Sequence, residues 1–273
     1  NNAFQESYEI EICNEYNKVI WNSGRFNSSN SINVKYEGIT LKGRGQYFFK
    51  IKVWNNYGEF AESQFKNFEI GLSKEDWIAK WIEADKDIVS VKEDFNMGKV
   101  FSYHSNPAEI REIPLDSPIE FSKEFKIKNK KVKKARIYVT AHGIYEAVLN
   151  NKKIGDEYLA PGFVTYPKMQ CYQTHDITSQ IKNGENKIEI TVADGWYKGK
   201  IGLAGIGHQF GDKVALLSQI EVEYSDGELE VIATDSSFKA STSKVEYSDL
   251  FIGESQNHNF NNKTYYGVVE RNY

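Results

Sequence analysis

GQYFFKIKVWNNYGEF (residues 45–60) settles the fold class. Tyr47, Phe49, Ile51 and Val53 fall on one side of an extended chain, and Phe48, Lys50, Lys52 and Trp54 on the other. Strict alternation is the signature of a half-buried strand. Asn55–Gly58 supplies the turn that ends it. The neighbours repeat the theme: YEIEI (8–12), KVIWNSGRF (18–26) with a turn at Asn22–Gly24, INVKY (32–36) and FKNFEIGL (65–72). Short strands with polar turns at this spacing predict a β-sandwich of the immunoglobulin or fibronectin type III kind over residues 1–72.

Residues 73–118 change character. SKEDWIAKWIEAD places Trp77 and Trp81 four apart, and Ser73 with Glu75 and Asp76 suits the start of one helical turn. This stretch reads as a packed linker with the two indoles wedged between domains. Residues 83–118 hold three of the five prolines and no clean period, which predicts an irregular connection.

Strands resume at 119. IEFSKEFKI (119–127) leads into KKARIYVTAHGIYEAVLNNKKIG, where Asn150-Asn151 marks a hairpin. Asp176 suits the cap of a single turn through Ile181, stopped at Asn183-Gly184. KIEITV follows as a strand. VALLSQIEVEYSDGELEVIATD (214–235) is a hairpin closed by Asp226-Gly227. No long amphipathic helix is predicted. Residues 119–273 therefore read as a second antiparallel sandwich, of jelly-roll type.

The net charge of −4 argues against a general nucleic-acid binder. The basic run KIKNKKVKK (126–134) reads as a solvated turn between strands. Cys13 and Cys171 form no CxxC pair, so two free, buried thiols are expected, with no disulfide and no zinc. No apolar run approaches the roughly 18 residues of a membrane span, and no signal peptide is visible. The compartment, cytoplasmic or secreted, stays open.

Three chemistries compete for ADGWYKGKIG (193–202) and the following GIGHQFG (205–211). A dinucleotide cradle needs a helix after its glycines, but Ile220, Val222 and Tyr224 alternate as a strand. The five histidines make no metal pattern, and the nucleophile elbow G-x-S-x-G is absent. Asp156, Asp176, Asp194 and Asp212 sit at strand ends or turns, so no glycosidase pair stands out. A sugar platform survives: Trp196, Tyr197, Phe163 and Tyr166 can stack on pyranose faces, with Asp194 and Gln209 bonding hydroxyls. Against it stands a plain packing role, with Trp196 in the core and Gly195 permitting the turn.

The ordered series LN-x-K-x-x-G, LAPG, TY, DIT, GEN, ADGWYKG, GD-x-x-ALL-x-Q and SDLFIGES resembles the N-terminal β-sandwich domain of bacterial α-L-rhamnosidases of glycoside hydrolase family 78. WNSGRF, YFFKIKVWNNYG and WIAKWI resemble the fibronectin-like module that precedes it. The resemblance covers roughly residues 5–255. It implies a galactose-binding-like second sandwich and a parent enzyme that removes terminal α-L-rhamnose with inversion. Inversion needs two carboxyls roughly 6.5–9.5 Å apart, which the resemblance assigns to an (α/α)₆ barrel absent from this chain.

The family's opening strands are missing before Phe4. Residues 83–118 are too short for the calcium-dependent module some relatives insert there, so no metal or cofactor is expected. The chain is thus expected to be a non-catalytic accessory region whose partners are that barrel and a rhamnose-containing glycoside. An independent carbohydrate-binding module and a surface-adhesion pair are the alternatives.

Overall fold

A computed structural model describes residues 2–90, 115–166, 168–201 and 207–273. The chain divides into two compact units, Asn1–Trp77 and Ile78–Tyr273. Both are built of antiparallel strands.

The first unit comprises β1 (Gln5–Asn14), β2 (Val19–Asn22), β3 (Phe26–Asn27), β4 (Gln46–Asn55), β5 (Phe60–Glu62) and β6 (Lys66–Glu69). These pair into one six-stranded sheet. β1 and β4 lie at its centre, with β2 and β3 on the outer edge of β1 and β5 and β6 on that of β4. The register pairs Tyr8 with Val53, Ile10 with Ile51 and Ile12 with Phe49. The apolar face expected of residues 47–53 is therefore continued by β1. The opposite face carries charge, with Lys50 3.2 Å from Glu62. Asn55 makes the expected turn, accepting the N–H groups of Tyr57 and Glu59 at 2.9 Å each. Lys74–Asp76 form one 3-10 turn, tied by the Ser73 N–H donating to Asp76 at 2.8 Å.

The second unit comprises β7 (Trp81–Asp85), β8 (Ile119–Ile127), β9 (Val132–His142), β10 (Ile144–Leu149), β11 (Lys152–Ile154), β12 (Gln173–Asp176), β13 (Gly184–Ala193), the helical turn α1 (Gly195–Lys198), β14 (Ala215–Tyr224), β15 (Leu229–Ala233), β16 (Lys239–Ser241), β17 (Val245–Asp249), β18 (Gly253–Gln256) and β19 (Tyr265–Arg271). One layer runs β11-β10-β13-β8-β16 and the other β7-β14-β9-β12, with β15 also on β14. β19 joins them. Its first two residues pair with β16 and the rest with β7. β17 and β18 form a separate hairpin.

Phe121, Ile188, Ile190 and Leu149 from the first layer meet Ile137, Val139, Leu216 and Val222 from the second in a single core. Burial on both sides of alternating strands makes this the main stabilising term.

The structure departs from the sequence reading at INVKY (32–36), which forms no strand, and at two further places. Trp81–Asp85, expected within the irregular connection, form β7 and bury Ile82 and Ala84 in the core. Trp81 accordingly belongs to the second unit, where it stacks on His142. Cys171 is exposed, although Cys13 is buried as expected. Most of the proline-bearing connection, 91–114, lies outside the described residues, as do Gly205 and Ile206.

The basic run is a turn as expected, but its lysines are paired: Lys126 with Glu185, Lys130 with Asp226 and Glu228, and Lys133 with Glu223, each at 2.6 Å.

The Asn150-Asn151 turn joins β10 to β11 with φ of 52° and 64°. Both residues are left-handed, which asparagine tolerates and a β-branched residue does not. Asn151→Val should therefore destabilise the protein by about 1–2 kcal/mol, read as a lower urea midpoint at unchanged slope. Asn151→Gly should leave the midpoint near its original value.

Candidate functional site

The stretch ADGWYKG begins where β13 ends. Gly195 has φ +52°, and a Cβ there would lie 2.6 Å from the Ile144 methyl and 2.8 Å from its backbone nitrogen. Only glycine fits. One helical turn follows, with the Lys198 N–H donating to the Asp194 carbonyl at 3.1 Å. In that single turn Asp194 and Lys198 share a side, while Tyr197 projects elsewhere. The turn thus separates a charge cluster from a cluster of rings.

Tyr197 is 7% exposed and lies flat against His142, with centroids 4.3 Å apart and planes 8° apart. Trp81 stacks on His142 at 4.2 Å and 26°. Two near-parallel partners at that distance must take opposite faces, so the imidazole is sandwiched. Tyr273 meets it edge-on at 4.5 Å. Outward, Tyr166 lies 5.1 Å from Tyr197 and 4.9 Å from Phe210. Phe163 caps the series, 6.2 Å from Phe210 and 58% exposed. Such ring pairs each add about 0.5–1.5 kcal/mol beyond burial. Burial pushes the His142 pKa down to about 4, against the opposing pull of Glu83. Its Nδ1 is buried with no hydrogen-bond partner among the described residues. Burial also raises the Tyr166 phenol to about 12.

On the other side, Lys198 is 4% exposed and its Nζ donates to Asp116 at 2.6 Å and to Asp194 at 3.2 Å. Asp116 also accepts the Val89 N–H at 3.0 Å and the Ser90 hydroxyl at 2.5 Å. Burial opposes ionisation of Asp116, but Lys198, Ser90 and Val89 outweigh it and hold its pKa down at about 2. Asp194 goes the other way: burial raises its pKa, and Lys198 only partly offsets that.

His208 extends the chain of contacts, with Nε2 3.0 Å from Ser90 Oγ and Nδ1 2.9 Å from Asp212. Ser90, His208 and Asp212 therefore align like a serine nucleophile with its base and orienting acid. However, the ionised Asp116 carboxylate is the stronger acceptor for the Ser90 hydroxyl, and it also takes the Ser90 N–H at 3.3 Å. The serine serves as a bridge between two charged clusters.

The six residues singled out from sequence fall into three places. Tyr197, Tyr166 and Phe163 come together, joined by Phe210. Asp194 belongs to the charge cluster. Trp196 is half-buried and Gln209 exposed, and Trp196 takes no part in the ring series among the described residues. The sequence marks Trp81 only as a packing indole and gives His142, Asp116 and Lys198 no site role. The only local hint was the Asp194–Lys198 spacing.

The α-L-rhamnosidase N-terminal domain model matches residues 130–268, and the Rha78A-like, N-terminal immunoglobulin domain model matches residues 1–74. An α-L-rhamnosidase of Formosa agariphila is 30% identical over 259 residues, covering 92% of this chain and 26% of that protein. One from Streptomyces avermitilis is 45% identical over 132 residues, 48% of this chain and 13% of that protein. The crystal structure of the native α-L-rhamnosidase from Aspergillus terreus superposes with a TM-score of 0.75 at 29% identity, covering 100% of this chain and 30% of that one. The chain spans about a quarter of the length of the first of these relatives. A domain model covering half the chain, together with that of the immunoglobulin module before it, shows that this chain belongs to the α-L-rhamnosidase N-terminal domain family.

Proposed function

We propose that this chain is the non-catalytic N-terminal region of an α-L-rhamnosidase, holding a catalytic barrel that lies elsewhere in the full protein and shaping the approach of a rhamnose-containing glycoside. The observation that carries this reading is the alignment of 92% of the chain to only 26% of a relative. It is supported by the site itself. The buried carboxylates near α1 are committed to Lys198, and the aligned serine is committed to Asp116.

The test compares two proteins on p-nitrophenyl α-L-rhamnoside. The full-length protein should release nitrophenol and form β-L-rhamnose first, seen by proton NMR as inversion. The present chain should release none. Hydrolysis by the chain alone would overturn the proposal.

The exposure of Phe163 favours a second reading, in which this unit also holds sugar at the open end of the ring series. Phe163 and Tyr166 would stack on the sugar and Gln209 would bond its hydroxyls. Asp194 and Tyr197 would play supporting parts, because Lys198 and His142 already occupy them. Phe163→Ala should then abolish the response of tryptophan fluorescence or chemical shifts to millimolar L-rhamnose. No response in the parent chain would remove this reading.

A further inference from the structure

The outer face of the first layer of the second unit carries a groove of about 640 Å³ between β10, β13, β8 and the β17–β18 hairpin. That volume lies within the range of small-molecule sites. Its floor follows from strand alternation. Phe121, Ala147, Ile190 and Val192 point into the core, so their neighbours point out.

Register places Glu146 beside Thr191 and Thr191 beside Glu120, in one row across three strands. Glu189 stands in the next row, beside Val148. Strands are about 4.8 Å apart, so the backbones of the two end glutamates lie about 10 Å apart with Thr191 between them.

The charges of this floor are balanced locally. Glu120 pairs with Lys263, Glu146 with Lys153 at 2.6 Å, and Glu189 with Lys187 at 2.6 Å. Among the described lining residues the remaining carboxylate, Glu254, is matched in number by Lys244. A surface of this kind offers many acceptors and donors, with three of its four carboxylates paired to lysines. One wall presents Tyr158, 84% exposed, with the Lys153 ammonium 5.0 Å from its ring centroid. The other wall presents Gln256 and Phe260.

We infer that this groove is a binding site for a neutral oligosaccharide. Its hydroxyls would bond the Glu–Lys pairs and Thr191, and a sugar C–H face would lie on Tyr158. An anionic glycan would meet the four carboxylates. A polyamine would have to displace three paired lysines. The groove shares none of its lining with the ring series around Phe163. The inference does not depend on the accessory role proposed above, because it is read from binding and not from hydrolysis.

The test is calorimetric titration of the protein with cellohexaose, xylohexaose and mannohexaose, beside hexagalacturonate and spermine. At least one neutral hexasaccharide should bind saturably. Tyr158→Ala should weaken that binding about tenfold or more, and Glu189→Gln severalfold. Tyr158 is so exposed that its loss should leave the melting temperature unchanged, which separates lost binding from lost folding. Tyr57→Ala, which removes an exposed ring of the first unit, should leave the affinity as it was. The inference is overturned if no neutral sugar binds, if only hexagalacturonate or spermine binds, or if binding survives both groove variants or is lost with Tyr57→Ala instead.

Discussion

Lys198→Met is expected to destabilise the second unit by about 3–5 kcal/mol, the usual penalty for stranding a buried charge. The Lys198 ammonium is the shared cation of Asp116 and Asp194. Without it, Asp116 keeps its hydrogen bonds from Ser90 and Val89, but its nearest cation is Lys86 at 3.9 Å. At 8% exposure, water cannot make up the difference. In a domain of this size the melting temperature should fall by roughly 10 °C.

Asp194→Asn should behave differently. The raised pKa of Asp194 reports a site that disfavours its charge, so the neutral amide should cost about 1 kcal/mol or less. Lys198 would keep its short bond to Asp116. The contrast between two partners of one ion pair is the informative result. Equal losses would mean that the cluster acts through packing and not through charge.

The second large effect is acid sensitivity carried by His142. In the unfolded chain a histidine titrates near 6.5, whereas burial between rings holds the folded His142 at about 4. Below pH 6.5 the unfolded state binds a proton that the folded state refuses. Stability from this group is therefore complete above pH 6.5 and lost as pH falls toward 4. The gap corresponds to about 3 kcal/mol. Chemical denaturation across this range should show the decline, and His142→Phe should flatten it while keeping rings against Trp81 and Tyr197. Asp116 acts in a separate, lower window. With a folded pKa of about 2, its contribution fades only below about pH 4. An unchanged slope in His142→Phe would show that other groups set the acid limit.

How much of this was written in the sequence depends on how local each feature is. The alternation of residues 45–60 and the turns at Asn55–Gly58, Asn150-Asn151 and Asp226-Gly227 are decided by neighbours along the chain, and they stand where expected. β7 escaped because its partners are remote: Val269 pairs with Glu83, and Leu216 with Ile82. Five residues flanked by charges carry too little pattern to announce a strand.

The site divided in the same way. The glycine-permitted turn after β13 was visible, and so was its wealth of aromatics. Which side chain met which partner was not. Lys198 looks like any surface lysine until Asp116, 82 positions earlier, is folded against it. His142 gives no hint of its role until Trp81 and Tyr197 close on both faces. Cys171 is exposed, against the general habit of cysteines to be buried.

The strand that joins the two layers also sets a timetable for synthesis. β19 is the partner of both β16 and β7, and β7 otherwise touches its sheet through a single register pair. Roughly 180 residues separate β7 from β19, which at about 5–20 residues per second is roughly 10–40 s of translation. Throughout that interval the nascent chain carries the open edge of β7, joined near its end by that of β16, edges of the kind that recruit neighbouring chains. The second unit can close only after its last strand has left the ribosome, so a chaperone that shields strand edges should matter most for this protein while it is being made.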